Sequence, residues 1–334
     1  IFLLLTVRRT AADIAGLIGW VATVLVAWLY FQTPLRVTLL ASLSGLFASL
    51  PIALVVATSI FQITVMMETG AVARVVALLK TIAPRDQVVQ IMLINVGVGT
   101  LLAALGSTPV SILPPILLAL GYPTFVAIAL PAIGYDALCT YALLGTPVVV
   151  FSNFVGLPVA EVGGYFARYM PVISTCIALG MLWIVGGWTL LGKGLLPALL
   201  TGLTAGGIAI GMNALGLVTL TGIAAGLGVV LVMLAYLKLS GKPLRDPAIL
   251  TDSDQQAMRS MSLGRALSPW LILIAFSLLV NAPFLPFFKL TFSTWAMPLE
   301  IIPGAPEKLR LFWQAYFWIL ISSLLALPFL RPGR

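Results

Sequence analysis

The stretch that decides the fold runs from Val88 to Gly121 and reads VVQIMLINVGVGTLLAALGSTPVSILPPILLALG. It contains no charged residue, and its two apolar arms are separated by Gly106-Ser107-Thr108-Pro109. A helix needs about 20 apolar residues to cross the hydrocarbon core of a bilayer. The second arm, Pro109–Gly121, has 13 residues, which is short for a crossing. The pattern therefore predicts a re-entrant helical hairpin over 88–121 with its tip at Gly106–Pro109.

The composition of the whole chain indicates that this hairpin lies in a membrane. Of the 334 residues, 61% are hydrophobic and 8% are charged, and the mean hydropathy is +1.13. A soluble domain carries charge on about a quarter of its residues, so only lipid can solvate the surface of this chain. We predict an all-α fold, a polytopic transmembrane helix bundle that forms a single membrane domain over 1–334 and is incomplete.

The residue inventory excludes several classes of chemistry. The chain has no histidine, which removes His-based metal sites and proton relays. Its two cysteines, Cys139 and Cys176, lie in apolar runs without the spacing of a metal site. Phosphate-binding loops, catalytic triads and nucleic-acid motifs are absent from the sequence. We therefore predict no cofactor, no metal ion and no nucleic-acid partner.

Hydropathy and basic residues together give a topology. Apart from the hairpin, the pattern predicts spans at about 11–31, 37–67, 171–191, 195–215, 218–237, 267–285 and 311–330, and a broken transmembrane helix over 122–151. Thirteen Lys and Arg residues lie on the side that holds 68–86 and the loop 238–266, against five on the other side. Cytoplasmic loops carry an excess of Lys and Arg, so we assign the first side to the cytoplasm. Residues 71–83 predict a helix lying in that interface.

Small residues four apart predict helix contacts. Three such pairs occur in the later spans: Gly202-xxx-Gly206, Gly207-xxx-Gly211 and Gly222-xxx-Gly226. Glycines at this spacing let two helix backbones approach closely in a membrane. We expect all three pairs to be packing faces, and the same holds for Gly97-x-Gly99.

Two interruptions of the apolar runs share one local sequence. They are Leu105-Gly106-Ser107-Thr108-Pro109-Val110 and Leu144-Gly145-Thr146-Pro147-Val148. In both, Thr suits a helix N-cap and Pro suits the first helical turn, so each predicts a new helix starting inside the membrane. Such a helix start offers unpaired N–H groups and a partial positive charge to an anion. The residues that we predict to bind the substrate are Gly106, Ser107, Thr108, Ser111, Tyr135, Gly145 and Thr146.

Asp136 is the one ionisable residue deep in an apolar run. An ionised Asp at the centre of a bilayer costs about 2.5–3.5 kcal/mol on insertion scales, so such residues are usually functional. We expect Asp136 to couple protons or to face the substrate cavity. A purely structural role at the Gly134 interruption is the alternative.

The order of these features resembles the lactate permease family. Ile82-x-Pro84-x-Asp86-Gln87 resembles the family's linker before its hairpin, and Pro109-Val110-Ser111-Ile112 through Leu120-Gly121-Tyr122 resembles the second arm. Gly145-Thr146-Pro147 and Arg168-x-x-Pro171 match a Gly-x-Pro and an Arg-x-x-Pro of the family, and Gly187-Trp188, Pro197-Ala198 and Gly202 follow in order. The chain departs from the family at the tip, which lacks an acidic residue, and at Asp136, where relatives carry a small polar residue.

The resemblance implies a carrier of lactate or glycolate, coupled to protons and working by alternating access in a bacterial or archaeal cytoplasmic membrane. It also implies that the chain is one repeat of an inverted-repeat carrier fold, which requires a carboxyl-terminal repeat or a partner subunit. Two alternatives stay open: a carrier of another small anion, such as a sulfonate or dicarboxylate, and a non-transporting membrane subunit of a larger complex. An intramembrane enzyme is disfavoured because the spans contain no paired acids or nucleophile–base pair.

Overall fold

The computed structural model describes residues 2–83, 86–244, 246, 250–281, 285–302 and 305–330. Almost all regular structure in this part of the chain is helical. The helices, in chain order, are α1 Phe2–Thr6, α2 Ala12–Leu29, α3 Leu35–Glu68, α4 Ala71–Thr81, α5 Gln87–Ile91, α6 Gly99–Ala104, α7 Pro109–Ala119, α8 Thr124–Gly134, α9 Ala142–Val155, α10 Val159–Ala214, α11 Thr221–Leu239, α12 Asp252–Ser260, α13 Leu263–Ala266, α14 Ser268–Asn281, α15 Pro286–Lys289 and α16 Ala315–Leu330.

Shorter segments of other geometry connect these helices. A π-helix, Met92–Val98, joins α5 to α6, and a second one, Leu290–Thr294, follows α15. Short 3₁₀-helices cover Tyr135–Tyr141 and Val218–Leu220. Two strands that hydropathy did not predict, β1 Met297–Ile302 and β2 Ala305–Leu309, form an antiparallel pair.

Within the described residues, five helices are long and apolar enough to cross a membrane. They are Ala12–Leu29, Leu35–Glu68, Gln87–Ala104, Val159–Ala214 and Val218–Leu239. The pair Thr124–Gly134 and Ala137–Ser152, bent by 44°, qualifies as a sixth, broken span. The all-α, polytopic helical fold is thereby confirmed.

The chain divides into two compact units. One contains Ile1–Ala53 with Ala296–Leu309, and the other contains Leu54–Trp295 with Arg310–Arg334. In the first unit, the Trp20 indole N–H donates a hydrogen bond to Ser42 Oγ over 3.1 Å, which links α2 to the start of α3. Most apolar side chains of α2 are exposed, as expected of a helix that lipid solvates.

The hairpin predicted over 88–121 has two helical arms in the second unit. Asp86 caps the first arm, because its carboxylate accepts a hydrogen bond from the Val89 N–H over 3.0 Å. This arm comprises α5, the π-helix and α6, and 83% of its residues are buried. It ends where Gly106 adopts a φ of +85°, and Pro109 then opens α7. The second arm is 11 residues long, or about 17 Å.

A second helical hairpin lies within α10 and corrects the predicted boundary of two spans. The sequence predicts a break near Lys193, but the backbone leaves the helical region at Gly186 and Gly187, with φ values of −142° and +57°. The 56 residues of α10 would measure about 84 Å as one straight helix. The break instead folds them into two antiparallel halves, 159–185 and 188–214. Gly187 combines a positive φ with a ψ of −149°, a conformation that is essentially restricted to glycine. The adjacent glycines are therefore a stronger turn signal here than the charge of Lys193.

Glycines set the closest helix contacts, as predicted for two of the three pairs. A Cβ built on Gly202 would lie 2.5 Å from Thr175 Cα, and one on Gly206 would lie 2.3 Å from Pro171 Cα. On α11, Gly222 and Gly226 contact the first arm of the hairpin, at Ala104 and Leu101. The prediction for Gly207-xxx-Gly211 is wrong, since a Cβ on either glycine would meet no described atom within 4 Å. Gly97 also packs, against Val230 on α11.

The interfacial helix predicted over 71–83 forms as α4 but is covered rather than open. The loop predicted over 238–266 contains α12 and α13, and both pack on α4. Lys80 makes a 2.9 Å ion pair with Asp254 of α12, and Arg74 Nε donates to the Met261 carbonyl over 3.0 Å. The polar side of an amphipathic helix needs water or polar partners, and this loop supplies the partners. It is therefore a folded part of the unit.

Candidate functional site

The first break of the hairpin, residues 105–108, is held by side chains from two other helices. Ser59 of α3 donates a hydrogen bond from Oγ to the Gly106 carbonyl over 2.7 Å. Ser107 Oγ donates to the side-chain carbonyl of Gln62, also on α3, over 3.3 Å. The Gln62 amide in turn donates to Ser322 Oγ of α16 over 3.4 Å. We call Ser59, Gln62, Gly106, Ser107 and Ser322 the tip network.

Every side chain of the tip network is removed from solvent. Ser59, Gln62, Ser107 and Ser322 are each 3% exposed or less. In hydrocarbon, an unsatisfied polar group costs several kcal/mol, so an interrupted helix survives only where protein satisfies it. Ser59 and Gln62 can serve one break together because residues three apart lie on the same face of a helix. A second helix, α16, completes the set.

The tip lies alongside its partner helices rather than at their ends. Gln62 is six residues before the end of α3, and Ser322 is eight residues before the end of α16. These separations correspond to about 9 and 12 Å along the helix axes. The break is therefore enclosed within the helix bundle. Its second arm, α7, begins there with Pro109 at the first position, as predicted.

The second break, residues 143–145, has a different geometry. Leu143, Leu144 and Gly145 are all left-handed, with φ values of 52°, 57° and 72°. Left-handed conformations are unusual for residues with side chains, and the fold holds two leucines in a row there. The Thr146 hydroxyl donates to the Leu143 carbonyl, so this break closes on itself. Gly145 packs closely on Thr219. A Cβ built on Gly145 would lie 3.2 Å from Thr219 Cα.

The two breaks lie side by side. A Cβ built on Gly106 would lie 3.5 Å from Leu143 Cδ2. Residues from both breaks and from the neighbouring helix starts form one buried apolar cluster, which includes Ala104, Leu105, Leu144, Leu220, Ile223, Ala315 and Ile319. The structure thus places the two breaks next to each other at Gly106 and Leu143. The sequence predicted one site from these two distant segments.

Comparison with known proteins identifies the family. The family model described as L-lactate permease matches residues 1–305. The chain belongs to the L-lactate permease family. Glycolate permease GlcA of Escherichia coli strain K12 is 27% identical over 209 residues, which are 62% of this chain and 36% of that relative. L-lactate permease of Bacillus subtilis strain 168 is 26% identical over 190 residues, 56% of this chain and 34% of the relative.

The chain spans about a third of the length of these permeases. No solved structure matches it. The matched family consists of permeases, and the spans described above make this member a multi-pass membrane protein.

Not every site residue predicted for this L-lactate permease family member has the expected contact. Thr108 occupies the N-cap position of α7 with extended backbone, at φ −93° and ψ 101°, but makes no capping hydrogen bond through its side chain. Thr108 therefore takes the predicted N-cap position without capping the helix through its side chain. The hydrogen bonds from α3 serve the Gly106 carbonyl and the Ser107 hydroxyl, which are not the groups that an N-cap satisfies. Thr146 likewise bonds backwards to Leu143 and not forwards into its helix.

Three predicted side chains lie outside the described part of this permease family chain: Ser111, Tyr135 and Asp136. The backbone at Tyr135 and Asp136 is described and forms the start of the 3₁₀-helix Tyr135–Tyr141. Just before it, Gly134 packs against Asn95 of the π-helix, with 2.8 Å between a built Cβ and Asn95 Cβ. Asn95 is fully buried, and its Oδ1 accepts no hydrogen bond from any described residue.

Sequence reasoning missed the polar partners of the first break. Ser59, Gln62 and Ser322 lie in apolar runs, and their contacts join residues 45 to 260 positions apart. One signal was available: Ser59-x-x-Gln62 places two polar residues on one face of a mostly apolar helix. Among the described residues, no group of three His, Cys, Asp or Glu side chains could hold a metal ion.

Proposed function

We propose that the protein is a secondary active transporter that carries lactate or glycolate across a bacterial cytoplasmic membrane together with protons. Membership of the L-lactate permease family supports the class of substrate. The observation that carries the proposal is the first break, an interrupted helix buried in a membrane bundle and satisfied by exchangeable side-chain hydrogen bonds.

The substrate carboxylate binds at the start of α7. The first turn of a helix presents N–H groups that have no intrahelical partner, and the helix dipole places about half a positive charge there. Discontinuous helices in carriers use this arrangement for anionic substrates. The Ser107 hydroxyl adds one donor when it turns from Gln62 to the carboxylate.

Gln62 can bind both the hydroxyl and the carboxylate of a 2-hydroxy acid. Its side chain has a carbonyl that accepts and an amide that donates, and in the structure these groups contact Ser107 and Ser322. When substrate binds, the carbonyl accepts the substrate hydroxyl and the amide donates to the carboxylate. A Gln at this place therefore distinguishes a hydroxy acid from an acid without the hydroxyl, because a buried acceptor left unpaired costs about 1–3 kcal/mol.

Transport then proceeds by alternating access around the tip network. Substrate exchanges hydrogen bonds with α3 and α16, which weakens their hold on the hairpin and allows it to move between two packed states. The second break, which closes on itself, acts as a fixed wall of the site. This division follows rigid-body gating around a binding site, as in other carriers.

Asp136 carries the coupled proton in this proposal. It lies in the 3₁₀-helix between the two helices of the broken span. A carboxylate at membrane depth costs about 2.5–3.5 kcal/mol, so transfer through the bilayer favours its neutral, protonated form. Binding of the substrate anion together with a proton then moves no net charge.

The test is uptake of labelled lactate and glycolate into vesicles that carry the full-length gene product, with and without a pH gradient. We expect uptake to accelerate when the outside is acidic. Asp136→Asn should transport substrate without a response to the gradient, whereas Asp252→Asn, in α12, should behave like the native protein. Full proton-coupled uptake by Asp136→Asn would remove the coupling role.

Uptake experiments also separate the other candidates. Competition by a sulfonate or a dicarboxylate stronger than that by lactate would reassign the substrate. A non-transporting subunit should show no uptake and no stabilisation of the purified protein by any of these anions, and that result would overturn the carrier proposal as a whole.

A further inference from the structure

A polar cleft lies at the base of the hairpin, at the opposite end of the first arm from the tip. Its volume is about 270 Å³. The walls come from the start of α5, the middle of α10 and the end of α11. The residues that matter here are Asp86, Leu190, Lys193, Pro197, Tyr236 and Lys242. This cleft takes no part in the site proposed for the transported anion.

The cleft carries a net positive charge. Lys242 Nζ donates to Asp86 Oδ2 over 2.6 Å, so these two charges offset each other. Lys193 lies on the facing wall and is exposed, and it makes no hydrogen bond or ion pair with any residue that the structure describes. Tyr236 adds a phenol group to the same cleft. One free ammonium beside neutral polar groups suits a phosphate monoanion.

The surroundings of Lys193 are those of a lipid-facing surface. Leu190 and Pro197 line the cleft beside it. The following turns of α10 expose apolar side chains, namely Leu195, Leu196 and Leu199, and Trp188 before them is 79% exposed. Trp and Tyr concentrate where a membrane meets water. A soluble anion would contact the ammonium alone, whereas a lipid would also cover the leucines.

We infer that this cleft binds the headgroup phosphate of an anionic phospholipid, whose acyl chains lie along the exposed leucines of α10. The positive-inside assignment puts the cleft in the cytoplasmic leaflet, and basic pockets between helices on that side are suited to anionic lipid headgroups. The lipid would join the hairpin base to α10 and α11, because the three elements share the cleft.

The test is thermal unfolding of the purified full-length protein in neutral detergent micelles with added phosphatidylglycerol, compared with phosphatidylcholine. We expect phosphatidylglycerol to raise the melting temperature by about 5 °C and phosphatidylcholine to leave it unchanged. Lys193→Gln should lose at least half of the increase, and Lys193→Arg should keep it. Lys289→Gln, an exposed lysine on α15, is the matched control and should keep it too.

Two results would overturn the inference. An equal response to phosphatidylglycerol in the native protein and in Lys193→Gln would show that the cleft is not the lipid site. An increase of the same size with soluble glycerol 3-phosphate would mean that the cleft binds a free phosphate and that the acyl chains contribute nothing.

Discussion

The two breaks beside each other in the bundle solve the same problem in different ways. At residues 105–108 the free carbonyl and hydroxyl groups reach across to Ser59 and Gln62 of α3. At residues 143–145 three consecutive residues are left-handed, and the Thr146 hydroxyl donates a hydrogen bond to the Leu143 carbonyl. The first solution depends on side-chain hydrogen bonds from other helices. The second combines a hydrogen bond within the break and a close contact with Thr219.

In the proposed transport cycle, the first break is the movable part of the site and the second break is the fixed part. Hydrogen bonds between helices can be exchanged for bonds to a ligand at little net cost, because each contributes only about 1 kcal/mol. A left-handed turn packed against the Thr219 backbone offers no such exchange. Substrate should therefore act through the first break, and substitutions there should affect transport more than substitutions at the second break.

The largest effect is expected from Gly106→Ala. At a φ of +85° an alanine costs about 1–2 kcal/mol in strain. Its Cβ would also lie 2.8 Å from Ile319 Cδ1 and 3.0 Å from Ala315 Cβ, and such overpacking costs about 1–3 kcal/mol. We expect a loss of about 3 kcal/mol in the free energy of unfolding and uptake below a tenth of native, measured by denaturation in detergent and by vesicle uptake.

Gly121→Ala is the matched control for this substitution. Its φ is +88°, and a Cβ there would meet no described atom within 4 Å. It should therefore lose only the strain, about 1–2 kcal/mol, and keep transport. Equal losses in the two variants would show that the packing of the tip against α16 contributes nothing.

The next effect concerns Gln62, which joins the tip to α3 and α16. Gln62→Ala should lower the initial rate of lactate uptake about tenfold, equivalent to about 1.4 kcal/mol, with normal amounts of protein in the membrane. Gln90→Ala is the comparison, because Gln90 is also a buried amide and accepts a hydrogen bond from the Tyr122 hydroxyl over 3.0 Å. It lies away from the tip and should change uptake less than twofold. Similar losses of uptake in Gln62→Ala and Gln90→Ala would mean that removal of any buried amide slows transport, and that Gln62 has no special role.

A smaller contrast separates the hydroxyl groups of the two breaks. Ser107→Ala should raise the KM for lactate about fivefold, as expected for loss of one hydrogen bond of about 1 kcal/mol. Thr146→Val should change the KM less than twofold, since the Thr146 hydroxyl already donates to the Leu143 carbonyl. A larger KM change in Thr146→Val would assign the substrate to the second break.

Hydropathy and glycine spacing predicted what depends on local sequence. The interruption at Gly106–Pro109, the start of a helix at Pro109 and the packing of Gly222 and Gly226 all follow from residues close together in the chain. The turn at Gly186–Gly187 also had a local signal, the adjacent glycines, but the charge of Lys193 drew the predicted boundary to a later position.

The rest depends on partners far away in the chain. Two breaks with nearly the same sequence take different conformations because one lies against Ser59, Gln62 and Ser322, and the other against Thr219. A pattern within one segment carries no information about which helix will pack on it. The tip network could not be predicted for this reason.

The smallest expected effect is on the melting temperature and concerns the ion pair that holds α4, the helix before the hairpin. This part of the protein, like the first break, depends on a partner from another segment. Helix α4, which leads into the hairpin, is bound to the loop helix α12 by the ion pair Lys80–Asp254. Burial would raise the pKa of Asp254, but hydrogen bonds from Lys80 and Thr251 outweigh it and hold the pKa below its usual range. This stabilisation is fully present above the unfolded pKa of about 3.9 and is lost as the pH falls through the lower folded pKa.

The melting temperature of the native protein should therefore fall by a few degrees between about pH 6 and pH 3. Asp254→Asn should melt lower than the native protein at pH 6, and the difference should shrink as the pH falls, because protonation removes the same charge. Asp252→Asn, in the first turn of the same helix, controls for a general change in charge and should follow the native curve. A difference in melting temperature between Asp254→Asn and the native protein that stays constant over this range would show that the charge of Asp254 does not stabilise α4. The difference would then come from the changed shape of the side chain alone.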